Sequence, residues 1–489
     1  MTTLTSSLLP LLQSLLIAFV SAVALVPVAR RLAIRLDVVA RPRADRWHRT
    51  VVPLLGGVAI GLATLIASLL SGLATTLPAL LLASMAMFAI GLVDDLLALR
   101  PATKLVAQIA AAATLVYFGF RLNWLESRLL DSVLTMVWVV GLTNAFNLLD
   151  NMDGLCAGTA LIVAAMLLAG FWTGVSRDNA MPEMTLLAVL MGAAAGFLVY
   201  NFPPASVFMG DSGSLLFGFS LAALTLGHEG VRASRSDVLS VIAGPAFVLL
   251  IPIFDTTLVT VARILSGRSP AKGGRDHSSH RLVAIGLSER NAVLVLWLLA
   301  TVGGTIGLLL RNFSPEWSLP VGTIFLIGMC VFAVYLARVR VYEELPAGAA
   351  TTLTPLKADF LSRRRVFEVL IDVSLIGATY YLATGLVFSD PEAYLRNAEV
   401  FYKSLPIIIT TQLLAFFARG LYRGIWQPFV RGDVNKVLEA ILGGTIVSQI
   451  FLVAYYGYVA VSWKVVLLYA VMLAAGVIVS RLIARQFPP

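Results

Sequence analysis

Apolar segments of about 20 residues, long enough to cross a bilayer as a helix, recur along almost the whole chain. Shorter polar segments separate them. We place membrane spans at 5–29, 53–73, 77–97, 104–121, 131–148, 155–173, 183–201, 213–227, 238–263, 290–310 and 319–338, and then at 366–387, 403–420, 435–457 and 463–480. The pattern predicts an all-α polytopic membrane protein with about 11 helices in a first module and about four in a second.

A polar segment between the two groups of spans predicts the domain boundaries. We expect a membrane domain at 1–340, a cytoplasmic linker at 341–365 and a four-helix membrane module at 366–489. The span 213–227 is short and rich in glycine, so the apolar pattern supports it least.

Composition agrees with a membrane protein. Only 13% of the residues are charged, against roughly 25% in soluble proteins, and the mean hydropathy is +0.89. The net charge of +9 is concentrated in a few loops. We therefore expect contacts with acidic lipids rather than with nucleic acid. Cys156 and Cys330 lie in apolar segments and indicate no disulfide framework. The first apolar segment lacks a basic start and a clear cleavage site, which favours a retained helix over a signal peptide.

Basic residues predict the orientation. The loop at 30–50 contains seven arginines, so it should face the cytoplasm. Alternation from there places 94–104, 149–154, 202–212 and 264–289 on the same side. Every polar cluster that could do chemistry is then cytoplasmic.

The stretch Asn144–Leu155, NAFNLLDNMDGL, is a polar segment between two apolar ones, and we expect the rest of the chain to be organised around it. Asp150 and Asp153 are three positions apart and would share a face of a helical turn. Asn147 and its neighbouring asparagines add amide groups, and Gly154 lets the backbone bend. A simple polar loop is the alternative, but polar groups in so apolar a chain usually serve a function.

Asp94 and Asp95 end the third span in GLVDDLLALRPATK. Adjacent like charges repel each other, and a divalent cation or a nearby base would relieve the repulsion. A solvated helix end is the alternative interpretation.

The loop FPPASVFMGDSGS carries a third carboxylate, Asp211. Gly210 and Gly213 flank it and would allow close backbone approach to a phosphate. The following helix offers free N–H groups that favour an anion. A turn capped by an aspartate would show the same pattern.

Histidines mark two further cytoplasmic loops. His277 and His280 are three positions apart, with Arg275 and Arg281 beside them, and His48 lies in an earlier basic loop. Two histidines could ligate a metal, but the neighbouring arginines favour phosphate or another anion. A basic loop at the membrane surface is the alternative.

One chemistry joins these loops. Scattered carboxylates can hold Mg²⁺, with Mn²⁺ as the alternative, and such an ion usually shares substrate phosphates. Arginine and histidine supply charge for a second phosphate. This set suits phosphoryl transfer, in which charge neutralisation does most of the work. One substrate would be a lipid phosphate and the other a soluble nucleotide.

Residues from about 1 to 340 resemble the polyprenyl-phosphate N-acetylhexosamine-1-phosphate transferases, the glycosyltransferase 4 family. The matching stretches are the His48 to Gly57 loop, GLVDDL, NAFNLLDNMDGL, FPPASVFMGDSGSLLFG and the histidine loop ending in HRL. The resemblance implies Mg²⁺-dependent transfer of a sugar 1-phosphate from a UDP-sugar to undecaprenyl phosphate or a related lipid. UMP would be released, as the first membrane step of cell-envelope glycan synthesis. The site would face the cytoplasm at a bacterial inner membrane.

The same resemblance implies a role for each motif residue. Asp94 and Asp95 would be catalytic, and Asp211 would be the metal ligand. The substrate-binding residues would be His48, Asn147, Asp150, Asp153, His277, His280 and Arg281.

Two positions depart from the family pattern. Ala98 stands where many members have a third aspartate, and the HxHH motif reads His277-Ser278-Ser279-His280. Both departures leave the sugar open. Because the pentapeptide branch commonly has a denser histidine cluster, we favour a nucleotide-sugar substrate without a peptide.

Residues from about 362 to 485, which include GLYRGIW, resemble the four-helix membrane domain that precedes a soluble dehydratase or epimerase domain in polysaccharide-biosynthesis proteins. No GxGxxG follows a strand there, so we expect no sugar-modifying chemistry from this module. We expect it to support a homodimer or to dock a soluble sugar-modifying enzyme.

Two other functional classes remain open at this stage. A transporter or flippase of a lipid-linked sugar should carry ionisable residues near the middle of its spans. Asp255 and Asp372 are the main ones, and each could line a cleft or pair with a neighbouring helix. A non-catalytic scaffold would not need three separate carboxylate loops.

Overall fold

The computed structural model describes residues 2–40, 51–125, 127–174, 178–226, 244–266, 274, 276–312, 315–339, 363–388, 391–421, 431–456 and 462–485. The chain forms two compact units, Met1–Thr351 and Thr352–Pro489. The predicted linker lies almost wholly outside the described residues, as do His48 and Arg275. The domain assignments made from the sequence therefore stay predictions.

Helices make up almost all of the described part of the first unit. They are α1 (Thr2–Arg35), α2 (Gly56–Leu70), α3 (Leu73–Thr76), α4 (Pro78–Leu97), α5 (Pro101–Tyr117), α6 (Arg128–Leu149), α7 (Leu155–Thr173), α8 (Met181–Asn201), α9 (Gly210–Ala223), α10 (Leu250–Leu265), α11 (Ser278–Ala284), α12 (Glu289–Asn312) and α13 (Pro315–Ala337). The second unit contains α14 (Arg363–Val387), α15 (Pro391–Ala418), α16 (Arg431–Tyr456) and α17 (Trp463–Arg485).

These helices confirm the prediction of an all-α polytopic membrane protein. Every predicted span overlaps a described helix. Within the described residues, eight helices are long and apolar enough to cross a membrane, and four further apolar helical stretches are shorter. Large aliphatic side chains such as Leu70, Leu82 and Leu129 are exposed, as expected for helix faces in contact with lipid.

The short span predicted at 213–227 corresponds to α9, which lies inside the protein. All residues from Ser212 to Ala223 are buried, and α9 packs against α2, α4, α6 and α7. Its 14 residues give a length of about 21 Å, less than the roughly 30 Å of a hydrocarbon core. A helix enclosed by other helices need not match the bilayer thickness, which explains the weak apolar signal.

Small residues allow the close approach of α9 to its neighbours. A Cβ atom added at Gly91 of α4 would lie 2.5 Å from both Asp211 O and Ser212 Cα. One added at Gly57 of α2 would meet Ser212 Oγ and the backbone of Gly213. Close backbone packing at small residues is the usual way in which membrane helices associate.

A two-stranded antiparallel sheet, absent from the predicted elements, joins the end of α1 to the region before α9. β1 (Val39–Ala40) pairs with β2 (Val52–Pro53). The Phe208 N–H donates to Pro53 O at 2.8 Å, and the Gly56 N–H donates to Phe208 O at 2.9 Å. The base of the basic loop is thereby held beside the segment that leads into Asp211.

Asp255 and Asp372, which could have marked a transport path, are both paired. In the first unit, Asp255 of α10 bonds to His277. In the second unit, Arg481 of α17 donates to Asp372 of α14 at 2.6 Å, and Asp372 is fully buried. A buried charge within a membrane helix needs such a partner. The alternative of pairing with a neighbouring helix is the one observed.

We expect Gly91→Ala to destabilise the protein by about 1–3 kcal/mol, because the new methyl group would overlap the backbone of α9. Gly141→Ala is the matched control, since a Cβ atom there would meet nothing within 4 Å. The control should be neutral or stabilising by up to about 1 kcal/mol. Thermal unfolding in detergent measures both, and equal melting temperatures would contradict the proposed packing role.

Candidate active site

Four helix ends bring four polar side chains together. Asp94 lies in the last turn of α4, Lys104 in the first turns of α5, Asn147 in the last turn of α6 and Asp211 in the first turn of α9. Lys104 Nζ donates to Asp94 Oδ2 at 3.0 Å and to Asp211 Oδ2 at 2.7 Å. Asn147 Nδ2 donates to Asp211 Oδ1 at 3.0 Å. The structure thus joins three of the predicted site residues: Asp94 and Asp211 meet at the ammonium group of Lys104, and Asn147 bonds to Asp211.

The turn between α4 and α5 places Lys104 opposite Asp94. Ala98 ends α4 in the left-handed region with φ 49°, and Pro101 begins α5. The Leu99 N–H donates to Asp94 Oδ1 at 2.7 Å, so the carboxylate also holds the turn. Lys104 was not among the residues predicted to form the site. Its position could have identified it, because Lys104 lies in the first turn of the helix that follows the Asp94–Asp95 pair.

Asp95 has a different partner from Asp94. Its carboxylate accepts the backbone N–H groups of Asp211 at 2.8 Å and Ser212 at 3.0 Å, and the Ser212 hydroxyl at 2.7 Å. The anion expected at the start of α9 is therefore the chain's own carboxylate. A Cβ atom on Gly210, whose φ is 70°, would lie 2.7 Å from both Asp95 oxygens. The space beside Gly210, which was predicted to admit a phosphate, is occupied by Asp95.

The central stretch is a turn between α6 and α7 that is tied to the segment before α9. Asp153 Oδ2 accepts the Ala205 N–H at 2.8 Å. The Gly154 N–H donates to Asn201 Oδ1 at 2.9 Å, and Asn201 Nδ2 donates to Val207 O at 2.9 Å. Asp153 therefore fixes the backbone of the loop that leads to Asp211.

The remaining polar residues of this stretch have distinct surroundings. Asn144 bonds to Gln108 of α5 at 2.7 Å, which joins two helices away from the carboxylates. Asp150 is half-buried at the C-terminal end of α6. Asn151 Oδ1 accepts the Ser279 hydroxyl at 2.6 Å. That last bond brings the histidine loop to the central turn.

The two histidines are buried at the start of α11. His277 Nδ1 lies 2.7 Å from Asp255 Oδ2, and the ring centroids of His277 and His280 are 6.1 Å apart. Among the described residues, no group of three or more His, Cys, Asp or Glu side chains is placed to hold a metal ion. Whether this loop binds an anion or a metal stays a prediction.

Arg281 is held at the end of α13. Its Nε donates to Asp276 O at 2.7 Å, and its Nη1 donates to Leu336 O at 2.8 Å and Val339 O at 3.0 Å. A cation at carbonyl groups of a helix C-terminus is favourable. These bonds give Arg281 a structural role in addition to the substrate-binding role predicted from the family, which stays a prediction.

Asp276 forms a bidentate ion pair with Arg263 of α10. Arg263 Nε donates to Asp276 Oδ2 at 2.9 Å, and Nη2 donates to Oδ1 at 2.6 Å. Burial tends to raise the pKa of Asp276, but the hydrogen bonds and charge of Arg263 outweigh it and lower the pKa below its usual value. The carboxylate is therefore ionised at neutral pH and anchors the histidine loop to α10.

The oxygen donors around Lys104 fit a magnesium ion that is shared with substrate. Asp94 and Asp211 both contact the same ammonium group, so their carboxylates face a common space. Mg²⁺ commonly takes one or two protein carboxylates and completes its shell with water and substrate phosphates. Two carboxylates without a third protein ligand are thus a suitable set.

We expect Asp95→Asn to lower the melting temperature more than Asp94→Asn does. The Asp95 carboxylate accepts from three donors at the buried start of α9, whereas the Asp94 carboxylate accepts from only two donors. Asp95→Asn therefore disturbs more hydrogen bonds than Asp94→Asn does. An unsatisfied buried donor costs about 1–3 kcal/mol. Thermal unfolding of both variants in detergent tests this difference, and a larger loss for Asp94→Asn would contradict it.

Comparison with known proteins agrees with the motifs. The profile of Glycosyl transferase family 4 matches residues 77–228. That range contains Asp94, Asn147 and Asp211.

Three relatives show how far the similarity extends. A Bacillus subtilis protein named "Probable undecaprenyl-phosphate N-acetylglucosaminyl 1-phosphate transferase" is 31% identical over 65% of this chain and 90% of its own length. The decaprenyl-phosphate N-acetylglucosaminephosphotransferase of Mycolicibacterium smegmatis is 38% identical over 55% of this chain and 74% of its own. The phospho-N-acetylmuramoyl-pentapeptide-transferase of Shouchella clausii is 28% identical over 61% of this chain and 96% of its own length.

These matches do not address the second unit, so its resemblance stays a prediction. Over the first unit, the ordered motifs, the family profile and the near-complete coverage of the Bacillus subtilis relative agree. The chain therefore belongs to glycosyl transferase family 4, the polyprenyl-phosphate sugar-1-phosphate transferases.

Proposed function

We propose that the protein transfers an N-acetylhexosamine 1-phosphate from a UDP-sugar to undecaprenyl phosphate or a related polyprenyl phosphate and releases UMP. The observation that carries the proposal is the group formed by Asp94, Lys104, Asn147 and Asp211 at four helix ends. Two relatives are named as N-acetylglucosamine phosphate transferases, which supports the sugar class. The reaction would be the first membrane step of cell-envelope glycan synthesis.

The reaction joins two phosphates and needs charge neutralisation. An oxygen of the lipid phosphate forms a bond to the phosphorus that carries the sugar, and the bond from that phosphorus to the UMP oxygen breaks. UMP leaves with the bonding electron pair. If the lipid phosphate resembles a protein phosphomonoester, its second pKa is about 6 and it is largely ionised at neutral pH. A positioning role for Asp94 therefore suffices, and no strong base is required.

Lys104 forms ion pairs with both Asp94 and Asp211, so it holds the two carboxylates close together and places a positive charge between them. A bound Mg²⁺, or Mn²⁺ in its place, would be held by Asp211 with Asp94 nearby and would neutralise developing charge on the phosphates.

The other motif residues would hold the nucleotide. Asn147, Asp150 and Asp153 would contact the uridine or the diphosphate, since amide and carboxylate groups match a uracil edge and ribose hydroxyls. The cationic groups of the histidine-containing loops would bind a phosphate, and their imidazoles would contact the same substrate. Their members are His48, His277, His280 and Arg281.

The site would face the cytoplasm at a bacterial inner membrane, because the arginine-rich loops predict a cytoplasmic position for all of these groups. The module at 366–489 would serve self-association or docking of a soluble sugar-modifying enzyme. Holding a partner nearby raises its effective concentration.

We expect Asp211→Asn to reduce turnover by about 10²–10³-fold. In other enzymes, removing one group that stabilises the charge of the transition state has an effect of this size. The test measures UMP release from UDP-N-acetylglucosamine and polyprenyl phosphate at saturating Mg²⁺. UDP-sugar binding and thermal unfolding of the same variant show whether the fold is retained. Near-normal turnover at saturating metal would remove Asp211 from the metal site.

We expect a truncated chain that ends at Thr351 to keep catalytic activity, because the four helix ends of the site all lie in the first unit. Self-association of the full chain should be lost. Turnover and light scattering in detergent, compared with the full chain, measure both properties. If the truncated protein folds and binds UDP-sugar but transfers nothing, the second unit contributes to the site.

A further inference from the structure

Asp255 is a buried carboxylate that the proposed reaction does not use. It lies in α10 and is 1% exposed. Its Oδ2 is 2.7 Å from His277 Nδ1, and its Oδ1 accepts the Ser278 N–H at 2.7 Å and the Ser278 hydroxyl at 2.6 Å. Three hydrogen bonds stabilise its negative charge and fix the orientation of the carboxylate, as a buried ion in a membrane protein requires.

These contacts decide which nitrogen of His277 is available. Because an ionised carboxylate can only accept, Nδ1 of His277 must carry the proton that it shares with Asp255. The other ring nitrogen, Nε2, lies on the opposite edge of the ring. A partner at one nitrogen sets the tautomer and orientation of a histidine. His277 also precedes α11 with extended backbone, φ −68° and ψ 159°, so its backbone is fixed as well.

The simpler explanation is that Asp255 only anchors the start of α11. A second ion pair already does this, since Arg263 holds Asp276 from the same helix through two bonds. Ser279 and Arg281 attach α11 to Asn151 and to α13. With those attachments in place, the contact with the imidazole contributes orientation rather than anchoring.

We propose that Asp255 is a positioning residue that accepts the Nδ1–H of His277, so that Nε2 carries no proton and accepts a hydrogen bond from an O–H or N–H group of the substrate. The inference rests on the proposed function, in which His277 binds the phosphate-bearing substrate. Asp255 itself touches no substrate atom and acts through the imidazole.

The tautomer can be read without any activity. The chain has four histidines, so nitrogen NMR of protein labelled with ¹⁵N-histidine resolves His277, and His277→Gln assigns its signals. We expect Nδ1 to be protonated in the wild-type protein at pH 8. A bare Nδ1 would overturn the proposal, and this measurement does not depend on the folding of any Asp255 variant.

Asp255→Asn should reverse the tautomer. The amide oxygen would keep the Ser278 donors, and the amide NH₂ group would then face Nδ1, which would become an acceptor while Nε2 carried the proton. Asp276→Asn is the matched control, because it removes a neighbouring carboxylate that pairs with Arg263. The control should lower thermal stability and leave the His277 tautomer unchanged. A reversal in the control, or none in Asp255→Asn, would contradict the assignment.

The kinetic test asks whether the two residues act as one unit. Asp255→Asn should lower kcat/KM by about 10–100-fold, the loss that is typical when a residue that orients a metal-ligating histidine is changed. His277→Gln should lower it at least as much, and the double variant should be no worse than His277→Gln alone. Additive losses would show that Asp255 acts independently. If the wild-type protein used no UDP-sugar, the proposed function would fail while the NMR result still decided the role of Asp255.

Discussion

The buried start of α9 requires hydrogen-bond acceptors, and Asp95 supplies them. The first N–H groups of a helix have no partner within the helix, and here two of them donate to one carboxylate of α4. Because the bonded groups belong to Asp211 and Ser212, Asp95 fixes the backbone from which the Asp211 side chain extends. Asp94, the next residue toward the N-terminus, faces Lys104 instead. Asp95 therefore positions the backbone of the candidate site, and Asp94 contacts one of the side chains of that site.

Single side-chain bonds connect this centre with loops that are distant in sequence. Asp153 holds the segment before α9, and Asn151 receives Ser279 from the histidine loop. A substrate with two phosphates and a nucleoside would extend across these loops. Their fixed arrangement reduces the entropy that binding must offset.

The fold was largely predictable, because the length and apolar character of each span depend on local sequence. Burial was less predictable, since periodicity cannot show that α9 is enclosed by other helices rather than by lipid. The aspartates and Asn147 were found because carboxylates and amides stand out in an apolar chain. Lys104 was missed because its partner Asp211 is 107 residues away. Asp255 was noticed as an ionisable residue within a span, but only the structure identifies His277 as its partner.

The enclosed position of α9 has a consequence for how the protein is made. Its neighbours α2, α4, α6 and α7 all precede it in the chain. During synthesis from the N-terminus, these four helices are therefore complete before α9 emerges from the ribosome. A helix too short to match the bilayer can then enter a space already lined by protein. The order of the helices in the chain thus allows the helices that enclose α9 to be inserted before α9 itself.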